Sequence, residues 1–205
     1  MIETDRTVNI NTIQIVEAED DRSASVQRIV ADDPWSMDVL ETVRRLGLPD
    51  WAIGAGFVRA RVWDELTGKA RTPLGDVDVL LFDPAENDSA ADAALERKLA
   101  DIHPDVPWSV TNQARMHFRN NDRPYRDTED ALRFWLETPT AVAVRLEDDG
   151  TITVLAPLGL DDLFELVVRP TPETRERADK MAAYRHRLVT KAWPQNWPGL
   201  RVEDP

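Results

Sequence analysis

Short unbroken apolar runs alternate along this chain with stretches in which apolar residues recur every three or four positions. The first pattern belongs to strands buried on both faces, the second to helices with one buried stripe. Trp51-Ala52-Ile53 is such a run, and it stops at Gly54 and Gly56, residues able to take positive φ or to let another group approach the backbone. Val58, Val62 and Leu66 then recur at i, i+4 and i+8, with Arg59 and Trp63 on a neighbouring face and Gly68 as a stop; this predicts a helix. Val79-Leu80-Leu81-Phe82 is the next apolar run, broken by Asp83-Pro84. Asp88 and Ser89 introduce a helix with Leu95, Leu99 and Ile102 inward, which reads as a crossover to a further strand over 108–112. The expectation is an α/β domain whose central mixed sheet contains 51–53, 77–82 and 110–112.

Outside that block the patterns are more local. Residues 1–20 hold one alternating piece, Val8, Ile10 and Thr12 against Asn9, Asn11 and Ile13, which predicts a tail or an added edge strand. Residues 23–31 are weakly helical, and Asp33-Pro34 opens a better helix with Met37, Leu40 and Val43 inward. Asp127-Thr128 caps a short helix carrying Leu132, Trp135 and Leu136. Val142, Val144 and Leu146 share one face, Asp149-Gly150 makes a two-residue turn, and Ile152 and Val154 return, so an added β-hairpin is expected. Residues 159–167 read as a compact helix on which Asp161 and Asp162 are exposed or capping; Thr171-Pro172 starts a final helix to about residue 188. Residues 192–205 read as an irregular tail whose Trp193 and Trp197 pack back on the body.

Composition narrows the classes of function. A length of 205 residues and 42% hydrophobic content suit one globular domain over 1–205, with no repeat apparent. With 25 basic and 38 acidic residues the net charge is −13, so the surface repels polyanions and long RNA or DNA is not expected as a partner. The chain has no cysteine, which removes disulfides, thiolate catalysis and cysteine-based zinc sites. Neither a secretory signal nor a membrane span is apparent, and the cytoplasm is the expected compartment. Of the three histidines, none accompanies a Gly-x-Ser-x-Gly turn, and no phosphate-binding P-loop is present.

What remains is carboxylate chemistry. Asp76 and Asp78 stand two apart at the start of a predicted strand, so they point the same way with Cα atoms about 7 Å apart, within reach of one divalent cation. Upstream, the glycine turn leads into a helix start whose free N–H groups favour a phosphate. On these residues the segment resembles the nucleotidyltransferase core of the DNA polymerase beta superfamily, in particular small bacterial nucleotidyltransferase-like proteins of uncharacterised substrate. Gly56-Phe57-Val58-Arg59 is similar to the Gly-x-Val-Arg turn of tRNA CCA-adding enzymes, although Ala60 stands where those carry an acidic residue. The resemblance extends through Val110-Thr111-Asn112-Gln113-Ala114-Arg115-Met116-His117 and Ala156-Pro157-Leu158-Gly159-Leu160-Asp161-Asp162-Leu163-Phe164, covering roughly residues 35 to 172.

The resemblance implies a polymerase-beta-like fold and transfer of a nucleoside monophosphate from a nucleoside triphosphate to a hydroxyl of a small-molecule or protein acceptor. It implies Mg²⁺ or Mn²⁺ on Asp76 and Asp78, with Gly54, Gly56 and Arg59 meeting the triphosphate. Asn112, Gln113, Arg115 and His117 are the expected ligand-recognition group, with Asn112 beside the aspartates. Enzymes of this superfamily usually add a third acidic residue from a neighbouring strand, where this chain offers neutral Asn112. A catalytically weak or inactive protein that binds a nucleotide or a protein partner is therefore the alternative.

Overall fold

A computed structural model describes residues 10–205, with side chains from residue 21 onward. In chain order the elements are α1 (Ile10–Ala31), α2 (Pro34–Arg44), β1 (Ala52–Gly54), α3 (Gly56–Leu66), β2 (Val77–Leu81), α4 (Ala90–Ile102), β3 (Trp108–Asn112), α5 (Gln113–Asn120) and α6 (Thr128–Leu132). After a 3-10 turn at Thr138–Thr140 come β4 (Ala143–Leu146), β5 (Ile152–Leu155), α7 (Asp161–Phe164), β6 (Val167–Val168), α8 (Pro172–Arg175), α9 (Ala178–Lys191), α10 (Trp193–Asn196) and β7 (Arg201–Val202).

Five strands form one mixed sheet in the order β3-β2-β1-β4-β5. β2 and β3 run parallel, joined by the α4 crossover, while β1 is antiparallel to both β2 and β4. The sheet has two unequal faces because side chains alternate along each strand. Ile53, Val77, Val79, Leu81, Val110 and Val144 join the large core with α1, α2, α3 and α4. On the other face Ala52, Leu80 and Ala143 meet only Leu132 of α6 and a few neighbours. Asp78 shares the Leu80 face by alternation, so it projects on the thin side of the sheet. The outer edge of β3 is shielded by α4: Glu96 accepts from the Val110 amide at 2.9 Å and Asp92 from the Asn112 amide at 3.3 Å.

The expected α/β architecture, the crossover and the hairpin are present. The hairpin is no addition, because β4 pairs directly with β1 and completes the central sheet. Four local expectations change. Residues 10–31 form one helix, so the alternation there is not an edge strand; Val8 and Asn9 lie outside the described residues. The helix read over 159–167 is one turn, after which Leu166 turns to φ +55° and Val167 enters a strand. The final helix is split: Arg177 is extended and reaches Asp122 at 2.7 Å, separating α8 from α9. The tail is not wholly irregular either, since β7 pairs in parallel with β6. Trp193 and Trp197 do pack back, both buried against Trp63.

Candidate active site

A cleft of about 490 Å³ opens on the thin face of the sheet, lined by Gly56 and Arg59 of α3, Asp76 and Asp78 at the start of β2, the 134–137 segment, and one side of α9. Asp76 lies just before β2 and Asp78 on it, two residues apart and on one face. Gly54 is opposite Asp78 in the β1–β2 register. A Cβ there would meet Leu80 Cδ1 and the Val142 carbonyl oxygen, each at 3.2 Å, so Gly54 is required by strand packing and does not line the cleft. The left-handed backbone falls between the two glycines, at Ala55 with φ +52°. Its amide is fixed by the Val142 carbonyl at 3.0 Å, and its own carbonyl accepts the Arg59 amide at 2.9 Å. This tight corner starts α3 at Gly56 and turns Arg59 into the cleft.

Arg59 is 7% exposed and donates from Nη1 to Thr140 Oγ1 at 2.6 Å, while its Nε has no partner. Its guanidinium sits over the Trp193 ring, 4.8 Å from the centroid, and 5.4 Å from that of Trp63. Burial pushes it down to about 10, opposed by Glu137, Asp78 and Asp76 and reinforced by Arg187. Asp78 is displaced the other way: burial first, then repulsion from Asp76, push it up to about 6 against the attraction of Arg59, Arg187 and Lys191. Glu137, 1% exposed, is held by Arg187 Nε at 2.6 Å. The lining therefore carries five cationic side chains (Arg59, Arg119, Lys180, Arg187, Lys191) against four anionic ones (Asp76, Asp78, Glu137, Asp179), within a chain of net charge −13.

Asn112 and its neighbours are elsewhere. The parallel register places Asn112 beside Leu81 and Ser109 beside Asp78, so Asn112 lies at the far end of β3, about 10 Å along the strand from the aspartate end. Its side chain is fully engaged: Oδ1 accepts from the amides of Asp83 and Ala114, and Nδ2 donates to the carbonyls of Asp83 and Glu86. Gln113 is buried and donates to the Thr111 carbonyl, and Arg115 pairs with Asp92 at 2.5 Å. His117 packs between Phe118 and Tyr125. None of these four lines the cleft; their helix contributes Arg119 and Asn120 instead. Asp161 and Asp162, read as exposed or capping, lie outside the cleft: Asp162 accepts from Thr138 and pairs with Arg169, and Asp161 pairs with Arg22.

Sequence reasoning missed Glu137, Arg187, Lys180 and Lys191. The signal was present in α9, where Asp179, Ala183, Arg187 and Lys191 recur every four residues and share one face, but a charged helical face reads first as solvated.

Residues 41–202 match a family model described as nucleotidyltransferase. A protein solved by NMR and described as a CCA-adding enzyme head domain is 32% identical, with a TM-score of 0.80 over 88% of this chain and 95% of that one. The chain belongs to the nucleotidyltransferase family. A CCA-adding enzyme solved with CTP shares the fold at a TM-score of 0.55 and 15% identity, over 87% of this chain and 43% of that one. The Bacillus stearothermophilus CCA-adding enzyme with CTP is 20% identical over 75% of this chain and 37% of that one, with a TM-score of 0.43. This nucleotidyltransferase thus spans about two-fifths of the length of these two enzymes and nearly all of the isolated head domain. No curated protein matches it.

Proposed function

We propose that the cleft binds a nucleoside triphosphate with a divalent cation and transfers the nucleoside monophosphate to a hydroxyl of a small-molecule or protein acceptor. The observation that carries this reading is the convergence, in one cleft, of two carboxylates that repel each other and a buried arginine whose Nε is unpartnered. Buried charges of this kind are retained where a ligand completes them. Phosphate oxygens are the complement of Arg59, and a hard cation is the complement of Asp76 and Asp78.

Among the described residues no group of three or more His, Cys, Asp or Glu side chains is arranged to hold a metal. Asp76 and Asp78 nevertheless fit Mg²⁺ or Mn²⁺ arriving with a triphosphate, because such ions are commonly held by one or two carboxylates with phosphate oxygens and water completing the shell. When bound, the cation supplies charge neutralisation and polarisation of the reacting phosphate. Arg59 and Lys191 orient phosphate oxygens beside the aspartates, and the apolar packing around Arg59 excludes water from that side. Arg187, bonded to Glu137 through Nε and lining the same cleft, would offer its remaining N–H groups to the anion. The excess of cations in the cleft draws in a compact anion, while the acidic surface disfavours a long one.

A second reading, nucleotide binding without turnover, is favoured by the engagement of Glu137 with Arg187 and of Asp179 with Arg177, which leaves Asp76 and Asp78 as the two lining carboxylates open to a cation. Titration with Mn²⁺, then with each triphosphate, followed by measurement of pyrophosphate release in the presence of cell extract, tests both. Release is expected for at least one nucleotide. Binding without release selects the second reading, and no metal-dependent triphosphate binding overturns both.

A further inference from the structure

We propose that Asp64 is a positioning residue for Asp76, holding the α3–β2 loop in the one course that delivers the carboxylate to the cleft. The inference rests on the reading of Asp76 and Asp78 as cation ligands. Asp64 lies about two turns along α3 from Gly56, is 1% exposed, and contributes nothing to the cleft lining. A buried carboxylate away from a site ordinarily has a cationic partner. Asp64 is instead held by three neutral donors: the Thr72 amide at 2.6 Å, Thr72 Oγ1 at 2.7 Å and Trp197 Nε1 at 2.9 Å.

Thr72 is four residues ahead of Asp76, and between α3 and β2 the chain has no helix or strand to hold it. Its course is fixed by one backbone bond, from the Lys69 amide to the Asp64 carbonyl at 2.8 Å, and by side-chain contacts: the Lys69 ammonium to the Asn196 carbonyl, Arg71 to Asp33 and to Ser36 Oγ, and the two Thr72 bonds to the Asp64 carboxylate. Two elements thus meet on one carboxylate. The loop carries the cation ligand, and the C-terminal turn supplies Trp197, while its neighbour Trp193 stacks on Arg59. Charge on Asp64 shortens and aligns its bonds, as charged acceptors do. Loss of that charge loosens the Thr72 segment between the Arg71 anchor and Asp76 without touching Arg59.

Asp64→Asn keeps the shape and one acceptor oxygen, and Trp197→Phe keeps the ring but removes the donor. Two readouts separate positioning from general damage: Mn²⁺ affinity, and binding of tripolyphosphate without metal, which reports Arg59. In Asp64→Asn the Mn²⁺ dissociation constant is expected to rise about tenfold, the lower bound for groups that orient a metal ligand. Trp197→Phe is expected to raise it about threefold, with metal-free tripolyphosphate binding within about twofold of wild type in both, and amide exchange at Thr72 is expected to quicken in both. Unchanged Mn²⁺ affinity in both variants, with wild type binding normally, overturns this inference and leaves the reading of the aspartates standing. Parallel loss of Mn²⁺ and tripolyphosphate binding overturns it too, since that marks a general structural role. Absence of Mn²⁺ binding by wild type overturns the aspartate reading and this inference with it. If Asp64→Asn does not fold, Trp197→Phe decides alone.

Discussion

The two ends of the β2–β3 pair hold polar side chains under opposite conditions. At the Asn112 end every atom of the amide is in use, by the amides of Asp83 and Ala114 and the carbonyls of Asp83 and Glu86. At the Asp78 end the nearby charges act only through space, and Arg59 keeps an unpartnered Nε. A saturated buried group has nothing left to offer a ligand. An unsaturated one costs stability and retains its bonding capacity. Saturation, rather than polarity or position near a strand end, is what distinguishes Asn112 from the groups of the candidate site; an unpartnered atom alone does not make a site, since His117 Nδ1 is also buried without a partner and lies outside the cleft.

Substitution of Asp78 probes the unsaturated end most sharply. Asp78→Asn is expected to lower Mn²⁺-dependent triphosphate affinity about a hundredfold, because it removes half of the carboxylate charge proposed to hold the cation, at the more buried of the two positions. Stability should move the other way. The carboxyl is raised from 3.8 to about 6 by burial and Asp76, so the folded state holds the proton more tightly than the unfolded chain. Ligand-free stability therefore falls as pH rises from about 4 to about 6, and the penalty is complete above that window. The variant escapes it, so an advantage of about 1–2 kcal/mol, the net shift discounted for solvent screening, appears at pH 7 and vanishes below about pH 4. Denaturation at both pH values checks the crossing; an equal effect at each would mean that Asp78 is not strained.

The converse test is Asn112→Asp. A carboxylate there loses the two Nδ2–H donors and faces the carbonyls of Asp83 and Glu86, with Asp92 already accepting from the backbone amide of the same residue. About 3 kcal/mol of destabilisation is expected, with Mn²⁺ affinity unchanged. A tightened metal site with intact stability would return Asn112 to the active centre.

How much of this was legible in the sequence depends on range. The strands expected at 51–53 and 77–82 announce themselves as local apolar runs, the alternation of Val142, Val144 and Leu146 gives β4, and the Asp149-Gly150 turn fixes its hairpin. The pairing of the aspartate strand with 108–112 also follows from one crossover helix. Register does not: adjacency leaves open whether Asp78 sits beside Ser109 or beside Asn112, and the structure chooses Ser109. Contacts at long separation were equally hidden. Glu137 meets Arg187 across 50 positions and Asp64 meets Trp197 across 133, distances at which no periodicity speaks. The split between α8 and α9 has the same origin, since Arg177 leaves the helix to reach buried Asp122.

Arg59 allows a finer cut between charge and packing. Arg59→Met preserves contact with Trp63 and Trp193 while removing the guanidinium. Triphosphate affinity is expected to fall about tenfold, or about 1.4 kcal/mol. Fold stability should change by less than about 1 kcal/mol, because relief of burial offsets the lost bond to Thr140. Urea unfolding and titration on the same preparation separate the two quantities. A large stability loss with unchanged affinity would make Arg59 a core residue.

The smallest effect concerns the corner that aims Arg59. Ala55 adopts φ +52° and ψ −122°, a conformation that costs a residue bearing Cβ about 1–3 kcal/mol. Glycine would remove that strain, yet it adds about 0.5–1 kcal/mol of unfolded-state freedom. Ala55→Gly is therefore expected to raise stability by about 1 kcal/mol, with the amide still bonded to the Val142 carbonyl. Alanine at such a corner makes sense if its Cβ limits how far the start of α3 can swing, since Gly56 beside it carries no Cβ and so makes none of the contacts that one would make with Leu74 Cδ2 at 3.7 Å and Arg59 Nη2 at 3.8 Å. The stabilised variant should then bind tripolyphosphate about twofold more weakly than wild type, a loss of about 0.4 kcal/mol. Equal or tighter binding by Ala55→Gly would show that the strain at Ala55 plays no part in setting Arg59.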